Sequence, residues 1–187
     1  MPVGLCSIMG TVAQIETWSA QSLIMMERVG HHLQVHALGL DSPDDRDVYG
    51  RSAYNRYYYA AFLRARKMMV RLDPIRWAEL PHATYPELLR GEIRRELRKA
   101  KERSQRIGDP QAVGLLSRAL TAADGIADLM RDASSVRVVA DYNPDIAIEF
   151  LPGGRFSLNN VDITAAHQWV SKVDVWADAI ESAWRYI

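Results

Sequence analysis

The sequence has one cysteine and no long hydrophobic run, and both shortages exclude whole classes of protein. With Cys6 alone among 187 residues, neither an internal disulfide nor a cysteine-based zinc site can form, so a reducing compartment is expected. The apolar start of the chain has no basic residues before it, and Glu16 and Glu27 interrupt the apolar pattern of the next residues. This arrangement fits neither a secretory signal nor a transmembrane helix, which needs about 18 or more apolar residues. We therefore expect a cytoplasmic protein that makes no contact with a membrane.

Low-complexity tracts and internal repeats are also missing from the sequence. Hydrophobic residues make up 48% and charged residues 25% of the chain, a composition typical of globular rather than disordered proteins. A chain of this length can bury a substantial core without disulfides or metals. The sequence therefore predicts one domain spanning residues 1–187.

Glycine and proline divide the chain into blocks with helical periodicity. In each block, apolar residues recur every three or four positions, which is typical of amphipathic helices. Turn-forming residues separate the blocks, among them Asp41–Asp45, which we expect to be a loop. Asp162 or Thr164 is expected to cap the last helix. An all-α protein of four to six helices is predicted, with helical blocks at about 11–36, 47–72, 87–105, 111–142 and 164–187.

Residues 145–160 have a different pattern. Ile146, Ile148 and Phe150 alternate with other residues, Pro152-Gly153-Gly154 follows, and apolar residues then alternate again at Phe156 and Leu158. Alternation on both sides of a glycine-containing turn predicts a small β-hairpin. A short irregular loop is the alternative.

The net charge of zero conceals two opposite blocks. From Arg51 to Arg106 there are 15 basic and 6 acidic residues, and the rest of the chain has 8 basic and 17 acidic residues. Basic runs such as Arg94, Arg95 and Arg98 can bind phosphate backbones. They can also form a solvated helix face with neighbouring glutamates. A third interpretation is that the basic part meets the acidic part, within the fold or across a dimer.

Arg56 precedes three consecutive tyrosines, which cannot all face the core of one helix. Arg56, Tyr57 and Tyr58 are candidates for stacking on nucleic-acid bases, and the alternative is a helix–helix interface. At least one of the tyrosine hydroxyls should reach a polar partner or water. Asn55, Tyr59 and Phe62 lie along an adjacent stripe of the same predicted helix.

Arg137 and Asp141 are four residues apart near the end of a predicted helix, and Tyr142 follows them. At this spacing the two charges can simply form an ion pair. An arginine that is held rigidly by a carboxylate is also how a phosphate clamp is built. Ser134 and Ser135 could add hydroxyl groups to such a clamp.

The histidines offer two weaker patterns. His32 and His36 are four residues apart and could bind a metal, but the sequence shows no third ligand, so we predict no metal site. Arg76 and His82 could in principle cleave RNA, the arginine stabilising charge on phosphorus and the histidine moving a proton. They lie on opposite sides of Pro81, however, rather than on one helix face.

Two motifs resemble one branch of the HEPN domain family. Residues Asn55–Phe62 are similar to the Arg-Ala-Tyr-Tyr-Ala-Ala-Phe signature of that branch, and Arg137–Tyr142 is similar to its Arg-x-x-Ala-Asp-Tyr motif. His82 matches a common histidine position before the middle helix. The resemblance covers about residues 48–187, including the last helix, and the N-terminal helices within 1–40 precede this family-like part.

This resemblance implies an all-α, up-and-down helical bundle that usually dimerises. Many members of the family are metal-independent ribonucleases of toxin–antitoxin, CRISPR and antiphage systems, in which an arginine is followed four to six residues later by a catalytic histidine. Arg137 matches the arginine, but Tyr142 stands where the histidine would be, and His167 is too distant. In other members the domain binds a nucleotide or a partner protein.

We therefore predict a homodimeric HEPN-like module of a bacterial toxin–antitoxin or antiphage defence system, without a cofactor. It would bind RNA, a nucleotide or a partner protein such as a nucleotidyltransferase or a defence-operon protein. Alternatives are a metal-independent endoribonuclease that uses Arg137 with a substituted base, and a structural helical adaptor. The candidate catalytic residues are Arg137, Asp141 and Tyr142, with His82 as another substitute base; the candidate binding residues are Arg56, Tyr57, Tyr58, His82, Arg94, Arg95 and Arg98.

Overall fold

The structure is a computed structural model that describes residues 24–78 and 80–187. The helices are α1 (24–39), α2 (Pro43–Leu72), α3 (Tyr85–Leu88), α4 (Arg94–Ile107), α5 (Pro110–Tyr142), α6 (Ile163–His167) and α7 (Trp169–Trp184). A 3₁₀ turn at His82–Thr84 precedes α3, and a π-helical turn at Leu89–Ile93 joins α3 to α4. The strands are β1 (Glu149–Leu151), β2 (Arg155–Leu158) and β3 (Val161–Asp162). The prediction of an all-α protein with a small β element is confirmed, and the predicted helical residues 11–23 lie outside the described part of the chain.

Helix α2 begins earlier than the sequence pattern predicted. Ser42 is its N-cap, with the side-chain hydroxyl accepting a hydrogen bond from Asp45 N at 3.3 Å, and Pro43 occupies the first turn. Proline has no N–H to satisfy there, and Asp44 and Asp45 favour the positive end of the helix dipole. The prediction of a loop over Asp41–Asp45 holds for Asp41 and Ser42 but was wrong for Pro43–Asp45, because these turn-forming residues are also good helix starters.

The core lies around α5, which contacts α2, α4 and α7. Many of its buried positions are alanines, which let neighbouring helices pack close to its backbone. Gly125 has the same role, since its backbone lies against the indole ring of Trp176 on α7. No helix within residues 24–78 and 80–187 is both long and apolar enough to cross a membrane.

The predicted hairpin is present, and a third short strand extends it. β1 and β2 pair antiparallel with Phe150 opposite Phe156, and β2 pairs with β3 with Leu158 opposite Val161. The sheet is fixed to α2 by Tyr54, whose buried hydroxyl donates to Val161 O at 2.6 Å. Burial raises the pKa of the Tyr54 hydroxyl, so it stays protonated as a donor.

The predicted last helix is divided into α6 and α7, which meet at Gln168. Asp162 caps α6, its Oδ1 accepting from Thr164 N at 2.8 Å and from the Thr164 hydroxyl at 2.6 Å. These hydrogen bonds hold the pKa of the Asp162 carboxyl below its usual value. Of the two candidate caps, Asp162 is the one that the structure shows.

Two buried arginines on α2 connect distant parts of the bundle. Arg51 is 8% exposed and donates to backbone carbonyl groups at the end of α5. One is Val139 O in the last turn, at 3.1 Å, and another is Asn143 O just after the helix, at 3.2 Å. Arg64 is 6% exposed and pairs with carboxylates on one face of α7. Those carboxylates are Asp174, Asp178 and Glu181.

The opposite charge blocks of the sequence meet inside this fold. On the π turn and α4, Arg90 pairs with Asp128 and Arg94 pairs with Asp124, both of them on α5. Arg64 pairs with α7 in the same way. The interpretation that the basic part meets the acidic part within the fold is therefore the one that describes these arginines.

Candidate functional site

The last turns of α5 lie beside α2 and hold Arg137 in place. Arg137 Nε is 2.8 Å from Asp141 Oδ2, one helical turn further on, and about a quarter of each side chain is exposed. The other oxygen of that carboxylate, Asp141 Oδ1, accepts a hydrogen bond from Asn55 Nδ2 at 2.5 Å. Because Asn55 belongs to α2, this bond fixes the Arg137–Asp141 pair relative to the neighbouring helix.

Two tyrosines complete the surroundings of the Arg137 guanidinium. Its Nη2 donates to the Tyr59 hydroxyl at 3.4 Å, and its Cζ lies 5.5 Å from the centroid of the Tyr142 ring. Burial acts to lower the pKa of Arg137, but Asp141 and the two tyrosines outweigh it and raise the pKa above its usual value. Within the described residues Nη1 has no acceptor, so this permanent cation has hydrogen-bond donors left for an external anion.

The 3₁₀ turn after Pro81 brings His82 against the same stretch of α2. The imidazole stacks on Phe62 with centroids 4.0 Å apart and an interplanar angle of 22°, and Tyr59 meets it edge-on at 6.0 Å. Its Nδ1 is 3.4 Å from the Tyr58 hydroxyl. His82 is nevertheless exposed to solvent, so a ligand can reach the ring.

His82 and Arg137 influence each other electrostatically. Burial lowers the pKa of His82 below its ordinary value, and the positive charges of Arg137 and Arg66 lower it further. The imidazole is therefore neutral at pH 7. A neutral imidazole and a fixed guanidinium thus share one site, although they come from the 3₁₀ turn and from α5.

The three candidates in the Arg56–Tyr57–Tyr58 run have different surroundings. Tyr57 is completely buried and its hydroxyl donates to Gln34 Oε1 at 2.6 Å, so its ring offers no face to a base. Arg56 extends towards α1, with Nη1 3.5 Å from Met26 Sδ. Of the three, Tyr58 alone contacts the site, through its bond to His82.

The predicted basic residues of α4 do not contact Arg137 or His82 in the part of the chain that the structure describes. Arg94 pairs with Asp124 at 2.6 Å, and Arg95 pairs with Glu96 at 3.4 Å. Arg98 is exposed on the same helix. Arg76 pairs with Glu92 and Asp73, so no described contact joins it to His82 as the sequence pair suggested.

Sequence reasoning did not assign a site role to Asn55, Tyr59 or Phe62. All three contact Arg137, Asp141 or His82 in the structure. The signal was present in their spacing of four and three residues, which places them along one stripe of α2. Only the packing of α5 and of the 3₁₀ turn against α2 shows that this stripe faces Arg137, Asp141 and His82.

The remaining histidines lie near α1 and are mutually packed. The His32 and His36 rings are nearly parallel with centroids 6.3 Å apart, and His31 stacks on His167 at 5.2 Å. His167 in turn stacks on Tyr57. Across residues 24–78 and 80–187, no three His, Cys, Asp or Glu side chains are arranged to hold a metal ion.

Comparison with protein-family models, with curated proteins and with solved structures finds no match to this chain. The resemblance to the HEPN family that the sequence analysis predicts rests on the two motifs at Asn55–Phe62 and Arg137–Tyr142 alone. In the structure these motifs face each other, since Asn55 binds Asp141 and Tyr59 binds Arg137.

Replacing Arg137 by glutamine should raise the pKa of His82, because a positive charge that disfavours the imidazolium is removed. The shift can be measured by following the His82 ring signals in an NMR pH titration. The matched control is Arg131→Gln on the same helix, since Arg131 pairs with Asp128 and Asp132 and is not among the groups that act on His82. An equal His82 pKa in the wild type and in Arg137→Gln would show that the two side chains do not share a site.

Proposed function

We propose that this chain is a HEPN-like helical module that binds a phosphate group of RNA or of a nucleotide between Arg137 and His82. The observation that carries the proposal is the guanidinium of Arg137, held by Asp141 and Tyr59 with Nη1 unoccupied, beside an exposed neutral imidazole. Bonds between a guanidinium and phosphate are charge-assisted and stronger than those between neutral groups. A clamp of this kind is the chemistry that the α2–α5 contact supports best.

The clamp is already ordered before a ligand arrives. Asp141 and Asn55 fix the guanidinium on one side and Tyr142 covers one of its faces, so little side-chain entropy remains to be lost on binding. Asp141 also offsets the charge of Arg137. Recognition at this site therefore depends on directed hydrogen bonds more than on a strong local positive potential.

The biological setting in this proposal comes from the resemblance. A HEPN-like module of this kind would act as a homodimer in a bacterial toxin–antitoxin or antiphage defence system. A nucleotidyltransferase or another defence-operon protein would be its protein partner. Mass measurement by light scattering checks the dimer, and a monomer at micromolar concentration would contradict it.

A second candidate function is a metal-independent endoribonuclease, and the electrostatic coupling of Arg137 to His82 favours it. Arg137 would stabilise the charge that develops on the phosphorus oxygens, and His82 would act on the 2′-hydroxyl proton. Among the other substitute bases, the Asp141 carboxylate is occupied by Arg137 and Asn55. Tyr142 is the remaining substitute base, and its ring centroid lies 5.5 Å from Arg137 Cζ.

Arg137→Gln should weaken binding of a fluorescently labelled single-stranded oligoribonucleotide about tenfold or more, because a charge-assisted hydrogen bond contributes roughly 1.5–3 kcal/mol. Fluorescence polarisation measures the affinity, and Arg131→Gln is the control that removes the same charge elsewhere on α5. Equal affinities of Arg137→Gln and the control would contradict the proposal. If neither RNA nor AMP binds the wild type, the structural-adaptor alternative is favoured instead.

The same samples separate binding from cleavage. RNA is incubated with each variant in the presence of EDTA and the products are resolved on a denaturing gel. Cleavage that disappears in both Arg137→Gln and His82→Asn supports the ribonuclease. Cleavage that persists in both variants removes these residues from any such reaction.

A further inference from the structure

We propose that Tyr58 fixes the proton of neutral His82 on Nε2, so that His82 presents an N–H donor to an anionic oxygen. A free imidazole exchanges its proton between Nδ1 and Nε2, and the hydrogen bond at one nitrogen decides which is protonated. The role of the N–H towards phosphate rests on the function proposed above. The position of the proton does not, since it follows from the Tyr58–His82 contact.

Tyr58 is the group that can set this tautomer. It is 3% exposed and its hydroxyl is 3.4 Å from His82 Nδ1. A buried hydroxyl needs an acceptor. Burial raises the pKa of Tyr58, with the Ser134 hydroxyl and Arg137 opposing this rise, so the phenol remains a protonated donor. The Ser134 hydrogen bond lowers the pKa of Tyr58, which is the effect of a hydroxyl that donates to the phenol oxygen. The Tyr58 O–H is then left to donate to Nδ1, and we infer that Nδ1 is the unprotonated nitrogen.

The surroundings of the ring keep this arrangement in one orientation. Phe62 covers one face of the imidazole and Tyr59 lies at its edge, and a ring flip would take Nδ1 away from Tyr58. Nε2 has no hydrogen-bond partner within the described residues. Because His82 is exposed, the N–H at Nε2 is accessible to a ligand.

The tautomer of His82 decides which nitrogen is a donor only while the ring is neutral. A charged imidazolium would carry protons on both nitrogens, but burial, Arg137 and Arg66 lower the pKa of His82. At pH 7 the ring therefore has a single N–H. Together with Nη1 of Arg137, that N–H provides two donors of the kind that phosphate oxygens accept.

This assignment distinguishes between the two candidate functions of the site. A general base must offer a lone pair to the proton that it removes. In the tautomer that Tyr58 selects, the accessible nitrogen carries a proton and the lone pair is directed at the buried phenol. The site is therefore organised to bind a phosphate group rather than to deprotonate a hydroxyl group.

The test is long-range ¹H–¹⁵N NMR on the full chain at a pH above the pKa of His82, with His82→Asn assigning the ring signals. The wild type should show the pattern of a single Nε2–H tautomer, and Tyr58→Phe should show a mixture of both tautomers. Tyr57→Phe is the matched control, because Tyr57 is the neighbouring buried tyrosine and bonds to Gln34 instead. An Nδ1–H pattern in the wild type, or an unchanged pattern in Tyr58→Phe, would overturn the proposal.

A second measurement uses inorganic phosphate as the probe in the same spectra. Phosphate should shift the His82 signals in the wild type, and Tyr58→Phe should weaken phosphate binding about twofold, since the N–H then spends part of its time on the other nitrogen. If the wild type shows the Nε2–H pattern but phosphate does not bind, the proposed function fails while the tautomer assignment stands. If phosphate binds through Arg137 but His82 shows the Nδ1–H pattern, the tautomer assignment fails and the function stands.

Discussion

Replacing Arg51 by methionine should lower the free energy of unfolding by about 3–5 kcal/mol, because the buried partner of a partly buried ion pair is removed together with its hydrogen bonds to carbonyl groups. The last four carbonyl groups of any helix have no hydrogen-bond donor within the helix itself. Arg51 donates to Val139 O and Ala140 O in the last turn of α5. It also donates to carbonyl groups just after the helix, at Asn143, Pro144 and Ile146. Its charge also favours the negative end of the helix dipole.

The effect of this change should extend to the sheet. Asp47 binds Arg51 Nε at 2.5 Å and also accepts a hydrogen bond from Ile148 N at 2.8 Å. Without Arg51 that half-buried carboxylate lacks its counter-charge. The carbonyl groups after α5 lose their donors at the same time, so the segment leading into β1 is destabilised.

Urea unfolding measures the loss, and for a chain of this size the melting temperature should fall by roughly 6–20 °C. Arg155→Met is the matched control, because Arg155 is half exposed and makes one ion pair, with Asp162. Exposed pairs of that kind contribute only about 0–1 kcal/mol. Similar losses in the two variants would show that the carbonyl contacts of Arg51 do not stabilise the fold.

Replacing Gly125 by leucine should lower the free energy of unfolding by about 2 kcal/mol, because overpacking a helix interface costs about 3 kcal/mol and only part of that loss is offset. A Cβ atom at this position would be 2.9 Å from Trp176 Cε2 and 3.0 Å from Cζ2. Trp176 is partly buried on α7, and its rigid double ring would have to shift as a whole to admit the new side chain. The intrinsic helix preference of leucine over glycine offsets only about 1 kcal/mol of that loss.

Gly114→Leu is the matched control, since Gly114 lies on the same helix and a Cβ atom there would meet nothing within 4 Å. That variant should be as stable as the wild type or up to about 1 kcal/mol more stable. Chemical denaturation of both variants gives the comparison. Equal stabilities would show that α5 and α7 do not need glycine where they meet.

The sequence predicted the helices well where apolar spacing and strong breakers coincide. Asp73-Pro74 ends α2 and Asn143-Pro144 follows α5 as expected. The π turn at Leu89–Ile93 was not predicted, because Leu89, Ile93 and Leu97 are spaced by fours, which an α-helix accommodates equally well. The predicted loop extended too far, over Pro43–Asp45, because capping residues and loop residues are the same residue types.

The site was predictable only as far as its residues are neighbours in sequence. Arg137 and Asp141 are one turn apart and pair as their spacing allowed. The position of His82 beside Arg137 depends on how the 3₁₀ turn packs on α2, which no local pattern encodes. In the same way, consecutive tyrosines point in directions about 100° apart on a helix. Only the packing shows that Tyr57 faces the core and that Tyr58 faces His82.

The ion pairs that Arg90 and Arg94 form with α5 affect the rate at which a charged partner associates. Arg90 and Arg94 are neutralised by acidic residues of the neighbouring helix. The whole chain has zero net charge, so no net charge attracts an anion at long range. The phosphate-bearing partner proposed above would therefore experience little attraction beyond the Debye length of about 8 Å. Association should proceed without electrostatic steering, at the roughly 10⁵–10⁶ M⁻¹s⁻¹ of neutral pairs. Collisions would become productive only when the partner reaches Arg137 itself.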